Sequence, residues 1–155
     1  MILRSFQPGD AGAVSALVVH TLRTANRPDY SEEYIERIAA RHTPAGILSR
    51  AAQTHFYVAC EGEEILGCGA VAPVKDREDE CCLYTVFVRT DRQGSGIGRA
   101  LLAALETDEY ARRSRRILVP ASITGVPFYL RLGYNLQPGV AGPDEDGLLP
   151  MEKWL

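Results

Sequence analysis

Apolar and polar positions recur along this chain with two alternating periods, and the changes of period divide it into elements. Residues 2–6 read as a first strand. After Gln7-Pro8-Gly9-Asp10, where Asp10 is expected to cap a helix, Val14, Leu17, Val18, Thr21 and Leu22 fall on one helical face. Asn26-Arg27-Pro28-Asp29-Tyr30 breaks that helix. Ser31 is placed to cap a second one, with Glu32 and Glu33 at its positive end and Tyr34, Ile35, Ile38 and Ala39 on its buried stripe. Pro44 and Gly46 are expected to end it.

Two β-rich runs, 54–60 and 65–74, flank Glu61-Gly62-Glu63-Glu64 and predict a hairpin. Gly67 and Gly69 in its second arm suit a bulge or a close backbone approach. Residues 81–88 predict the next strand and 97–111 an amphipathic helix. A short strand follows at 117–120, then a helix at 125–132 with Pro127 in its first turn and Gly133 as its stop. Late strands at 134–137 and 148–154 complete the sheet. The reading is an α/β (α+β) chain: a mixed, mostly antiparallel sheet of six to seven strands flanked by about four helices, in one domain over 1–155.

Composition narrows what such a domain does. The chain has 155 residues, 46% hydrophobic and 24% charged, which suits a core that needs neither disulfides nor metals. A formal net charge of −3 disfavours a nucleic-acid partner. No apolar run approaches the ~20 residues of a membrane span, and the N-terminus does not read as a signal peptide, so a cytoplasmic location is the expectation. Cys60, Cys68, Cys81 and Cys82 lack Cys-x-x-Cys spacing and lie in predicted strands, where free cysteines pack as small hydrophobes. No metal site is read.

The chemistry-bearing stretch is Gln93-Gly94-Ser95-Gly96-Ile97-Gly98-Arg99-Ala100, between a strand and a helix. Such a turn presents backbone N–H groups at the positive end of a helix, a seat for a phosphate anion. A Walker A loop is excluded because no Lys-Ser/Thr follows Gly98, and a dinucleotide fingerprint because its third glycine would fall at Arg99 or Leu101. The fixed positions of Gln/Arg-x-x-Gly-x-Gly/Ala are all matched. Here the sequence resembles the GNAT superfamily of N-acetyltransferases, and the predicted order of elements agrees over nearly the whole chain. Ser122-Ile123-Thr124-Gly125-Val126-Pro127-Phe128-Tyr129-Leu130-Arg131-Leu132-Gly133-Tyr134 resembles the family's later motif. Its Phe-Tyr-x-x-x-Gly-Tyr part is complete, whereas Ser122 and Gly125 stand where Asn and Ala are common.

The resemblance implies roles. Acetyl-CoA would be bound with its pantetheine arm along Val86, Phe87 and Val88, as an added strand, and its pyrophosphate on Gln93, Gly94, Ser95, Gly96, Ile97, Gly98 and Arg99. Ser122 would touch the cofactor arm. Tyr129 matches the tyrosine that protonates the departing CoA thiolate. The acceptor would be a small-molecule or protein amine, acetylated directly in a ternary complex, and a homodimer is possible.

Two parts of the family pattern do not carry over. The position six residues before Val88, where several members place a basic Glu, is Cys82; Glu80 and Tyr84 flank it on the same strand face. For the acceptor, Asp29, Tyr30 and Tyr84 are the candidates, with Asn26, Glu32, Glu33 and the Asp144-Glu145-Asp146 run able to attract a protonated amine. Taken singly, each of these charges better suits a helix start or a solvated loop. Arg112, Arg113, Arg115 and Arg116 suit a helix C-terminus rather than a nucleic-acid patch, and His20, His42 and His55 suit surface or interhelix positions. Two other functions stay open: a non-catalytic acyl-CoA-binding or sensing module of the same fold, and a sheet-edge interaction protein without a nucleotide-like ligand.

Overall fold

In the computed structural model, which describes residues 1–155, the alternating runs form one seven-stranded sheet in the order β1-β2-β3-β4-β5-β7-β6. The strands are β1 (Ile2–Ser5), β2 (His55–Glu61), β3 (Glu64–Val74), β4 (Arg77–Val88), β5 (Arg116–Ser122), β6 (Asn135–Leu136) and β7 (Leu148–Trp154). All neighbours are antiparallel except β4 and β5. Six helices flank the sheet: α1 (Ala11–Thr24), α2 (Glu32–Ala39), α3 (Pro44–Gln53), α4 (Ile97–Glu106), α5 (Glu109–Arg112) and α6 (Val126–Arg131).

Two helices beyond the expected four have local causes. Pro44 and Gly46 start a helix instead of stopping one: Thr43 caps it, its hydroxyl accepting from Gly46 N at 3.2 Å, and Pro44 takes the first turn, where no N–H is needed. The expected 97–111 helix breaks at Thr107. Asp108 then caps α5, accepting from Tyr110 N at 2.9 Å while its carboxylate also takes the Tyr57 hydroxyl at 2.5 Å. Asp10 does not cap α1; it accepts from Gln7 N and pairs with Arg4 at 2.8 Å, holding a 3-10 turn ahead of the helix.

β4 starts four residues before the expected strand because its charged beginning is paired rather than solvated. Glu80, 3% exposed, receives Arg116 Nε at 2.6 Å, and Arg116 also reaches Glu152 at 3.1 Å. Arg115 pairs with Asp79 at 2.7 Å. These contacts fasten the first residues of β4 to β5 and β7.

The core lies on both faces of the sheet. Val14, Val18, Leu22, Ile35 and Ile47 of α1–α3 pack on Phe56, Val58 and Cys68. On the other face, Leu102 and Leu105 of α4 pack with Leu83, Ile117, Val119, Tyr129, Tyr134 and Met151. All four cysteines are buried and unbridged, as expected of strand residues serving as core. No helix is long and apolar enough to cross a membrane.

Candidate active site

The parallel pairing of β4 and β5 covers only Glu80, Cys81 and Cys82 opposite Arg116, Ile117 and Leu118. Beyond Cys82 the two strands part. β4 stays bonded to β3 on one side through Val88, yet on the other its edge has no strand partner. A cleft of about 780 Å³ opens in the fork. Residues 83–88 form its floor, 119–122 and α6 one wall, and Tyr30, Tyr34, Ile38, Arg41, His42 and Arg50 the opposite wall.

Where the strands part, β4 carries a bulge. The register with β3 slips between Cys68 and Ala70, and Thr85 takes φ +54°. A β-branched residue in that region is strained by roughly 1–3 kcal/mol. The Thr85 carbonyl is turned back to accept from the Cys68 thiol at 3.3 Å. Bulges of this kind re-aim backbone groups beside active sites.

β4 leads through a 3-10 turn (Thr90–Arg92) into the glycine turn, where Gly94 and Gly96 have φ of +80° and +89° and open space around their Cβ positions. Ser95 Oγ donates to Arg92 O, and Gln93 Nε2 to Val88 O at 3.3 Å, so these side chains shape the turn. The first backbone N–H in it with an acceptor in the protein is that of Ala100, bonded to Gly96 O at 3.0 Å. The N–H groups of Gly94, Ser95, Gly96, Ile97, Gly98 and Arg99 have none. Together with an unpaired strand edge, that cradle fits a diphosphate attached to a chain bearing amides.

Tyr129, 6% exposed, lines the cleft, and its hydroxyl has no partner in the protein. Burial, with a smaller contribution from the neighbouring Cys82, pushes its phenol far above the usual range. Ser122 also lines the cleft, its Oγ accepting from Gly125 N at 3.0 Å, which leaves its own proton to donate. Tyr84 lies on the floor, and burial raises its phenol too.

The wall candidates divide. Tyr30 lines the cleft, but its hydroxyl is committed: it donates to Gly147 O at 2.6 Å and accepts from Ile123 N at 2.8 Å. Asp29 does not line it and accepts from the Thr124 hydroxyl at 2.7 Å. Tyr34 stacks on Tyr30 with centroids 4.4 Å apart and donates to Asp146 O at 2.7 Å. Glu80 is removed from consideration as a base, since its carboxylate is buried against Arg116 outside the cleft. Of the acidic residues expected to draw in an amine, only Asp146 lines the cleft, against four arginines: Arg41, Arg50, Arg99 and Arg131.

One cleft residue carries no signal in the sequence. His42, 6% exposed, lines the wall with Nδ1 2.8 Å from Ile38 O, which fixes the proton on Nδ1 and leaves Nε2 as an acceptor. Burial lowers its basicity, the hydrogen bond to Ile38 O offsets part of that, and Arg50 and Arg41 lower it further, which favours the neutral ring. Its ring meets Phe87 edge-on at 6.3 Å. In sequence, nothing separates His42 from the other two histidines; its contact with β4 is long-range.

The family model for the acetyltransferase (GNAT) domain matches residues 52–136. No curated protein sequence matches the chain. Among solved structures, it is similar to a GCN5-related N-acetyltransferase (aminotransferase, class II) from Rhodopseudomonas palustris, at 25% identity and a TM-score of 0.80, covering 99% of this chain and 95% of that one. The PaiA N-acetyltransferase from Thermoplasma acidophilum, solved in complex with coenzyme A, gives 17% identity and a TM-score of 0.82 over 99% and 98%. An aminoglycoside 6'-N-acetyltransferase complexed with coenzyme A gives 19% identity and 0.71 over 99% and 97%. These last two likenesses are of fold.

Proposed function

Because the chain belongs to the GNAT family of acetyltransferases, we propose that it moves the acetyl group of acetyl-CoA to a primary amine by direct transfer within the fork between β4 and β5. The observation that carries this reading is the run of six unpaired N–H groups at Gly94–Arg99, set at the end of an unpaired β4 edge. Those amides and the helix α4 dipole would hold the pyrophosphate. The free edge at Val86–Val88 would pair with the pantetheine amides.

Acetyl-CoA supplies a thioester-activated acetyl group; the C–N bond forms on the amine nitrogen as the C–S bond breaks. The chain's own groups serve the charges this creates. A backbone N–H of β4 at the bulge would stabilise the developing negative charge on the carbonyl oxygen, an effect worth about 3–4 kcal/mol for a preorganised donor. Tyr129 Oη would donate its proton to the departing sulfur. A phenol with a raised pKa remains protonated at neutral pH; being a weaker acid than a thiol of ordinary pKa ~8.5, it would hydrogen-bond the sulfur as negative charge develops there, with solvent completing the proton's delivery or replacing it on the phenol. We assign acceptance of the amine's proton to His42 Nε2, a neutral base in the cleft, with Cys82 unable to take the place of a carboxylate.

Calorimetric titration with acetyl-CoA, alongside release of CoA thiol across an amine panel, tests the assignment. Binding and turnover that both vanish in Gly96→Glu are expected. No heat at millimolar acetyl-CoA overturns it, and binding without CoA release for any amine leaves a binding module instead of an enzyme.

A further inference from the structure

Arg50 is half-buried in the cleft wall, and no atom of the protein accepts a hydrogen bond from its guanidinium. The contrast within the same chain is sharp: Arg4, Arg89, Arg92 and Arg116 each hold a carboxylate within 3.3 Å. A guanidinium partly withdrawn from water without a counter-charge is unfavourable. Here Arg41 adds like-charge repulsion, since burial first and Arg41 second both lower the basicity of Arg50. Both side chains line the same cleft, and no acidic side chain from α2 or α3 joins them there.

This pair and the glycine turn reach the cleft from different elements. The glycine turn meets the cleft from the α4 side of the sheet, where Arg99 and Arg131 also line it. Arg50 and Arg41 come from α3 and the α2–α3 connection, packed with α1 on the opposite face. We propose that the acceptor amine carries a carboxylate, and that Arg50, with Arg41 beside it, is the seat of that group. The inference rests on the acetyl-transfer reading of the cleft and deepens it. A guanidinium recognises a carboxylate through two parallel N–H donors, which sets orientation as well as affinity. The unfavourable unpaired charge of the wall then becomes selectivity, because an amine without an acid leaves it uncompensated.

The test compares L-amino acids with their α-carboxamides, and with tyramine and spermidine, as acceptors for the purified protein, reading CoA thiol release. The wild type is expected to favour acids over amides at least tenfold in kcat/KM. Arg50→Gln should erase that preference by raising KM for the acids at least tenfold, and Arg50→Lys should restore part of it. Two readouts do not depend on turnover. The acetyl-CoA Kd of Arg50→Gln should stay within twofold of wild type, and its melting temperature should not fall. The N-acetyl amino acids, and not their amides, should stabilise the wild-type protein thermally. Equal rates on acids and amides, turnover confined to tyramine or spermidine, or no stabilisation by any N-acetyl acid overturns the proposal while leaving acetyl transfer intact. An acetyl-CoA Kd raised as much as KM reassigns Arg50 to the cofactor. Failure of wild-type protein to bind acetyl-CoA overturns the acetyl-transfer reading itself.

Discussion

The rings of Tyr129 and Tyr134 pack edge to face, centroids 5.6 Å apart at 67°, yet their hydroxyls meet opposite fates. Tyr129 faces the cleft; Tyr134 is fully buried, and its hydroxyl has no partner. The same substitution at the two positions should therefore read out differently. Tyr129→Phe is expected to lower kcat about 10²-fold with acetyl-CoA affinity unchanged, the range of a lost general acid. Tyr134→Phe should leave kcat unaltered and raise stability by about 1 kcal/mol, because an orphaned buried hydroxyl is removed. Steady-state kinetics and urea denaturation of both variants separate these outcomes, and equal kinetic losses would return Tyr129 to a packing role.

The three glycines of the turn do different work. Gly94 and Gly96 need positive φ, whereas a Cβ on Gly98 would lie 2.8 Å from Phe128 Cε1, so Gly98 lets α4 approach α6. Gly96→Ala strains the cradle and should weaken acetyl-CoA binding with a stability cost of about 1 kcal/mol. Gly98→Ala must move the Phe128 ring beside Tyr129, costing about 1–3 kcal/mol of stability and lowering kcat. Calorimetry and denaturant midpoints distinguish the two.

How much of this was legible beforehand follows from the range of the forces involved. The β-rich runs, the capped α2 and the glycine turn rest on local pattern, and each is found in place. Residues 77–80 are all charged and carry no apolar strand pattern; pairing with β3 from Val74–Arg77 onward, and Arg115 and Arg116 nearly forty residues later, make a strand of them. Pro44 suits a helix stop as well as a helix start, and only the fold makes Thr43 a cap. In the site, backbone donors were foreseen, but the wall was not. Its charge looked acidic in sequence, yet folding sends Asp29 to Thr124 and brings Arg41, Arg50 and His42 inward.

Thr85 offers a direct test of stored strain. Glycine adopts φ +54° without steric conflict, so Thr85→Gly should stabilise the fold by about 1 kcal/mol. Freed from its fixed bulge, the β4 backbone should serve the reaction less well, and kcat is expected to fall. Thermal unfolding and turnover measured on the same preparation check both signs together.

The pH dependence has two limbs. Burial raises the phenols of Tyr84, Tyr129 and Tyr134, so the folded state holds their protons more tightly than the unfolded chain. Their contribution is complete below the unfolded phenol pKa of ~10 and is lost as pH climbs above it. His42 acts in the other direction: with its folded pKa depressed, stability is full above the unfolded value of ~6.5 and declines as pH falls below it. His42→Gln should flatten that acid limb in denaturation experiments. If His42 is the base, the same variant should lose about 10²-fold in kcat/KM and recover activity as pH rises and more of the amine arrives deprotonated.

The hydroxyl of Tyr30, bridging Gly147 O and Ile123 N, joins three segments that are far apart in the chain. A ribosome delivers them at widely separated times. The glycine turn and the helix that follows it come from one continuous stretch, 93–106, whereas the chamber facing them needs the hairpin carrying Gly147 as well. The turn of glycines is thus a local device, whereas the chamber facing it relies on a hydroxyl that ties together the beginning and the end of the chain.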